Sequence, residues 1–271
     1  MDAEGRVFVV TGAASGIGRC VAQELVRRGG YVAGADRNDA GLAETALLIG
    51  DRSRLSTHVL DIGDADAIAA FPDEVIVAHG RVDGLFNIAG IPQPVSTVTE
   101  VDATTAEQIL RINFFGTLWM CRAFLPRLEE RPDGAVIMNT SSLSAIAPFP
   151  GAAIYGASKA AVALMSYGLA QDLRGRSQVT VTAALPGTVW TGLVRDTARS
   201  LGTSEALAQR FAMNPERAAR RMVDATLKGR QRVVIGADAH LFDAANRLST
   251  HLAERMSYLQ VGSFVYRRPR G

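Results

Sequence analysis

The chain has 271 residues, 48% of them hydrophobic and 21% charged, which suits one large globular domain and excludes a disordered or membrane composition. Its 29 basic and 27 acidic residues leave a net charge of +2, without the basic footprint of a nucleic-acid binder. Two cysteines, Cys20 and Cys121, cannot build a disulfide framework and read as free thiols.

Met1 to Arg6 carries Asp2 and Glu4 and runs straight into Val7-Phe8-Val9-Val10, with no basic n-region or apolar leader, so a cytoplasmic protein is expected. No stretch approaches about 18 uninterrupted apolar residues, and no membrane partner is expected. The short apolar runs Val7 to Val10, Tyr31 to Ala35, Leu55 to Leu60, Val82 to Phe86, Ala135 to Asn139, Val179 to Ala184 and Arg232 to Ile235 read as seven strands. Between them, Ile17 to Arg28, Ala65 to His79, Thr104 to Leu128 and Ala153 to Arg174 are long enough for crossover helices. The pattern predicts a single α/β domain over 1–271, a Rossmann-like, doubly wound, seven-stranded parallel sheet with helices on both faces.

Thr188 to Met213 is the least regular region, with Trp190, Leu193, Val194, Leu201, Leu207, Phe211 and Met213 set among polar residues. It reads either as a lid over a substrate or as an ordinary packed connection. Asn214-Pro215-Glu216 is a cap followed by proline at the first helical position, opening a helix that reaches Lys228. Past the seventh strand, Gly236-Ala237-Asp238 begins another helical segment and a tail ending in Arg267-Arg268-Pro269-Arg270. That short cluster is the one feature that would recruit the chain to an anionic membrane surface, and it supports that reading weakly.

Directly after the first strand, Thr11-Gly12-Ala13-Ala14-Ser15-Gly16-Ile17-Gly18 leads into a helix. Glycine there permits a tight turn and the close approach of a pyrophosphate, which the helix N-terminus attracts. Asp36 ends the second strand 18 residues after Gly18, where a carboxylate binds an adenosine ribose. The pair predicts a dinucleotide site. Asp36 favours NAD, since a 2′-phosphate would meet like charge, and the non-basic Ser15 agrees; Arg37 beside it keeps NADP possible.

Of the 29 basic residues 27 are arginine, and only Lys159 and Lys228 are lysine, so a retained lysine invites a chemical explanation. Tyr155 and Lys159 are four apart on one predicted helix and share a face. An ammonium and an oxidised nicotinamide both favour a phenolate, which makes Tyr155 a candidate general base. The histidines His58, His79, His240 and His251 show no ligand spacing, and no metal is expected.

The glycine spacing, Gly-x-x-x-Gly-x-Gly, is where the sequence resembles the short-chain dehydrogenase/reductase family, and further motifs follow in that family's order. These are Asp61 with Ile62 after the third strand, Asn87-Ile88-Ala89-Gly90 after the fourth, Asn113 in a long helical segment, Ser142 after the fifth, Tyr155-x-x-x-Lys159, and Pro186-Gly187-Thr188-Val189-Trp190-Thr191 after the sixth. The resemblance implies that Asn113, Ser142, Tyr155 and Lys159 are catalytic: Ser142 bonds the substrate oxygen, and Asn113 holds a water chain to Lys159. It implies cofactor contacts from Gly12, Ser15, Gly16, Ile17, Gly18, Asp36, Arg37, Asp61, Ile62, Asn87, Ala89, Gly90, Tyr155, Lys159, Pro186, Gly187, Val189 and Thr191. It also implies a homodimer or homotetramer built on the Thr104 to Leu128 and Ala153 to Arg174 helices. Because family members often end soon after the seventh strand, the last 36 residues read as a C-terminal extension.

Leu143, Ile146, Pro148 and Phe149 follow the serine, and Pro92 and Pro94 follow the Asn-x-Ala-Gly turn, so the pocket walls are expected to be apolar. The expected activity is hydride transfer between NAD(H) and a hydrophobic secondary alcohol or ketone. An NADP(H)-dependent carbonyl reductase and a non-catalytic nucleotide sensor are the alternatives, the second opposed by the intact catalytic set.

Overall fold

In the computed structural model, which describes residues 1–200, 204–262 and 265, seven strands form one sheet. Leu201 and the tail from Arg267 to Arg270 lie outside the described residues, as does the side chain of Leu207. The chain runs β1 (Val7–Thr11), α1 (Gly16–Arg27), β2 (Tyr31–Asp36), α2 (Asp39–Ile49), β3 (Leu55–Val59), α3 (Ala65–His79), β4 (Gly84–Asn87), α4 (Ala103–Leu110), α5 (Thr117–Glu129) and β5 (Ala135–Thr140). It continues through α6 (Ala153–Asp172), β6 (Val179–Pro186), α7 (Gly192–Ser200), α8 (Glu205–Phe211), α9 (Pro215–Leu227), β7 (Arg232–Ile235), α10 (Ala237–Leu248) and α11 (Thr250–Ser257).

All six strand pairings are parallel, in the order β3-β2-β1-β4-β5-β6-β7. The order reverses between β1, paired on one side with β2, and β4 on the other. That switch point opens a crevice at the carboxyl ends of the strands, where open α/β sheets bind ligands.

Within β1 the two-residue period sorts side chains onto opposite faces. Phe8 and Val10 join Leu25, Phe86, Met222 and Val223 under α1 and α9, whereas Val7 and Val9 join Ile68, Phe71, Phe124 and Ile137 under α3 and α5. The central strands β1, β4 and β5 are buried at every position, which is why they read as continuous apolar runs, while edge strand β3 stays partly exposed. A third, smaller core joins Leu143 and Ala147 to Ala239, Phe242, Ala245 and Ala253 of the last two helices. The helical segment expected after Gly236 is therefore a packed part of the domain.

Two elements depart from expectation. β4 begins at Gly84 rather than Val82, because the buried Asp83 carboxylate accepts the Val7 N–H at 2.9 Å and draws the chain across the sheet end. The helix expected over Thr104 to Leu128 is interrupted by a π-helical turn, Arg111–Gly116, which carries Asn113. Gly116 sits so close to the loop before α3 that a Cβ there would come within 2.6 Å of the Ile62 carbonyl. Such one-turn widenings recur at functional sites because they re-aim a single side chain.

Candidate active site

The glycine turn lies at the switch point. Gly12 has φ +74°, a conformation L side chains avoid, and a Cβ on Gly18 would stand 2.0 Å from the Gly12 carbonyl oxygen. These glycines let α1 begin directly beneath the turn, its N-terminus facing the crevice. The buried Thr11 hydroxyl accepts the N–H groups of Ile88 and Ala89 at 3.0 and 3.2 Å, tying the β1 and β4 loops together. Asp36 accepts from the amides of Ala14 at 3.2 Å and Asn38 at 3.0 Å, so its carboxylate is pinned at the rim of the crevice.

The crevice is a groove of about 730 Å³ lined by Gly12, Ser15, Gly16, Ile17, Gly18, Asp36, Arg37, Asp61, Ile62, Ala89, Gly90 and Thr191. That is within the roughly 300–1,000 Å³ typical of cofactor sites. A smaller space of about 110 Å³ is bounded by Ser142, Tyr155, Lys159, Pro186, Gly187 and Val189, and shares Ile17, Gly90 and Thr191 with the groove. Every residue predicted to contact a cofactor lines one of the two spaces except Asn87. The Asn87 amide instead donates to Asn139 Oδ1 at 2.8 Å and Cys121 Sγ at 3.5 Å beneath the sheet. Through these bonds it braces β4 against β5 and α5, while its own Oδ1 is buried without a partner.

On α6, Tyr155 and Lys159 present one face. Lys159 is 4% exposed; its Nζ donates to the Thr140 carbonyl at 3.0 Å and lies 5.9 Å from the centroid of the Tyr155 ring. Burial pushes the Lys159 ammonium down to about 8. Burial also raises the half-buried Tyr155 phenol above its ordinary value, while a hydrogen bond with Ser142 pulls it back down. Ser142, just past the end of β5, also accepts the Ser144 N–H at 3.1 Å, which fixes its rotamer.

Asn113 is fully buried. Its carbonyl oxygen accepts the Ile91 N–H at 2.8 Å, and its amide donates to the Ile91 carbonyl at 3.0 Å and to Ser158 at 3.1 Å. These bonds hold the β4 loop against α6 and do not reach Lys159. Asn113 Oδ1 and Lys159 Nζ nevertheless flank the same residue, for a Cβ on Gly90 would meet them at 3.0 and 3.2 Å.

Three residues whose side chains anchor backbone around the site escape the sequence reading. Gln93 is buried between two exposed prolines; its side-chain oxygen accepts the amides of Ile154 and Tyr155 at 2.9 and 3.1 Å, capping the helix that carries Tyr155 and Lys159. The only signal was a polar residue set between prolines. Ser141 donates to the Lys159 carbonyl at 2.7 Å. Asp238 accepts the Thr188 amide at 2.7 Å.

The expected pocket walls also need correction. Leu143 is buried in the third core, with Ile146 and Phe149 packed against it. Their apolar surface serves α10 and α11, and the apolar side chains bordering the smaller space include Ile17, Ile88, Val189, Leu193 and Val194. Burial pushes the thiols up to about 11 at Cys20 and about 12 at Cys121, which suits inert packing residues.

Residues 6–202 match the sequence profile of the short chain dehydrogenase family, spanning the glycine turn, the serine and the Tyr-x-x-x-Lys pair. The chain is a short-chain dehydrogenase/reductase. This short-chain dehydrogenase/reductase is 32% identical over 271 residues to a Mycobacterium tuberculosis protein named putative oxidoreductase SadH, covering 96% of this chain and 97% of the relative. It is 37% identical over 198 residues to the probable oxidoreductase EphD of the same species, 72% of this chain but 33% of that longer one. Among solved structures, a short-chain dehydrogenase from Streptomyces avermitilis superposes with a TM-score of 0.77 at 29% identity over 95% of this chain and 97% of that one. A Burkholderia phymatum family member in complex with NAD gives 0.82 at 24% identity, covering 97% and 96%, which shows the fold. The chain is thus an oxidoreductase with an NAD(P)-binding Rossmann fold, and no helix among the described residues is long and apolar enough to cross a membrane.

Proposed function

We propose that this enzyme transfers hydride between NAD(H) and a hydrophobic secondary alcohol or ketone, with Tyr155 as general acid/base. The observation that supports it most is the convergence of Ser142, Tyr155 and the buried Lys159 on one small space that opens into the groove. The cofactor supplies the hydride acceptor or donor. Ser142 holds the substrate oxygen, and Tyr155 gives or takes the proton on that oxygen. Lys159, cationic below about pH 8, stabilises the phenolate form of Tyr155, which burial alone opposes. Asn113 and Gln93 fix the β4 loop and the start of α6 so that these groups keep their spacing.

Asp36 supports NAD over NADP. Its carboxylate is held at the rim by two amides, where a ribose hydroxyl would donate to it and a 2′-phosphate would be repelled. Exposed Arg37 borders the same groove, which keeps an NADP(H)-dependent carbonyl reductase as the second reading. Leu193 and Val194 give the substrate space an apolar side and support an apolar substrate. A cytoplasmic location and a homo-oligomer belong to the same reading.

A screen of varied alcohols and ketones with both cofactors, followed at the nicotinamide absorbance band, tests the class. Titration of each cofactor tests the preference: NADH should bind at least about tenfold more tightly, or ~1.4 kcal/mol. Equal or tighter binding of NADPH would give control of the ribose site to Arg37.

A further inference from the structure

The loop after β6 closes over the catalytic space, and three of its amides are held from outside it. Gly187 N donates to the Ile235 carbonyl at 2.8 Å, Trp190 N to the Met213 carbonyl at 2.9 Å, and Thr188 N to Asp238 Oδ2 at 2.7 Å. The first two acceptors are backbone groups that any residue would supply. The third depends on one side chain 50 positions along the sequence.

Two glycines make room for that carboxylate. A Cβ on Gly187 would stand 2.2 Å from Asp238 Oδ1, and one on Gly236 would stand 2.5 Å from it. Gly236 also has φ +117°, at the turn into α10. Gly187, which lines the smaller space on one side, therefore makes way for Asp238 on the far side of the loop. The carboxylate lies in the first turn of α10, where the helix dipole favours a negative charge, and a bond from an amide to a carboxylate is stronger than a neutral one.

The same helix grips the opposite wall of the site. Phe242 is buried in the core that contains Leu143, the residue after Ser142, and its ring centroid lies 5.5 Å from that of Phe149. One helix thus touches the loop bearing Val189 and Thr191 through Asp238, and the segment bearing Ser142 through Phe242. The distance between those two walls would set the room left beside Tyr155 for a nicotinamide ring.

We propose that Asp238 is a positioning residue through which α10 holds the Gly187–Thr191 loop at the spacing that cofactor binding and hydride transfer require. It acts through the loop backbone. The inference rests on the reading of the groove as a nicotinamide-dinucleotide site. Loss of a hydrogen bond to a charged group and a small displacement near the chemistry both have effects of about tenfold or more.

The test compares wild type, Asp238→Ala and Asp238→Asn by NADH titration, steady-state kinetics and hydrogen exchange of the Thr188 amide without cofactor. Asp238→Ala should weaken NADH binding about tenfold, lower kcat by a similar factor, leave the KM for substrate within about twofold, and speed Thr188 exchange. Asp238→Asn keeps an oxygen acceptor in the same place and should recover most of each loss. Gly187→Ala provides an independent entry, because its methyl group displaces the carboxylate; it should weaken NADH binding similarly and add little to Asp238→Ala. A folded Asp238→Ala protein with wild-type NADH affinity would overturn the proposal, as would equal losses in the alanine and asparagine variants or fully additive losses with Gly187→Ala. Failure of the wild-type protein to bind either dinucleotide would instead refute the functional reading beneath it.

Discussion

Burial of Lys159 should be measurable as a pH dependence of stability. With the ammonium pushed down from 10.5 to about 8 in the folded protein, the native state carries a cost of about 3 kcal/mol at neutral pH relative to an exposed lysine, at 1.36 kcal/mol per pKa unit. Between those two values the unfolded chain binds the proton and the folded one does not, so stability from this group rises with pH. Integrated from pH 7 to 9, the gain is about 1 kcal/mol. The raised thiols of Cys20 and Cys121 act with opposite sign, because unfolding lets them ionise as the pH climbs. Their contribution is common to wild type and a Lys159→Met variant, so the difference between the two proteins isolates the lysine. Removing Lys159 also deprives the Thr140 carbonyl of its partner, a fixed loss that cancels in the pH difference. Urea unfolding followed by circular dichroism, in cofactor-free protein at the two pH values, should show wild type gaining about 1 kcal/mol more than Lys159→Met. Identical pH slopes would refute the claim that this ammonium is held desolvated.

Three further outcomes are expected. Lys159→Arg should lose at least about a hundredfold in turnover, because a planar guanidinium cannot occupy the space between Thr140 and Tyr155; Tyr155→Phe should lose a comparable amount while still binding NADH, and the pair should not add. Near-normal turnover of the arginine variant would remove Lys159 from the mechanism. Amide hydrogen exchange in α7 and α8 should slow when cofactor and substrate bind together, since Leu193 borders the catalytic space while Phe211 stands 76% exposed; unchanged exchange would make the segment simple packing. Light scattering at micromolar concentration should give at least a dimer, because Phe115 and Leu164 are exposed on the helices of the expected interface, where Phe115 stacks on Trp119 with centroids 5.8 Å apart. A monomer would contradict that interface.

The fold and the placement of Tyr155 beside Lys159 were legible in the sequence because their information is local. A strand buried on both faces is a short apolar run, and a glycine turn between strand and helix needs only neighbouring residues to close. Tyr155 and Lys159 share a face through the geometry of one helix turn. Asp36 was singled out by its place at the end of a strand, and it lines the groove.

What the tertiary structure alone decided is which way side chains face when the partner is distant in the chain. Asn87 stands in the right motif but bonds Asn139 and Cys121, because the pairing of β4 with β5 brings Asn139 beside it. Leu143, Ile146 and Phe149 follow Ser142 yet serve a core shared with Ala239, Phe242, Ala245 and Ala253, so their apolar character, correctly read, pointed to the wrong neighbour. Gln93 and Asp238 gain meaning only when folding delivers the amides of Tyr155 and Thr188 to their side-chain oxygens across 62 and 50 residues. Composition and periodicity record how much surface a segment must bury. The partner it buries against is set by the crossing of chains at the carboxyl edge of the sheet, and no local pattern encodes that crossing.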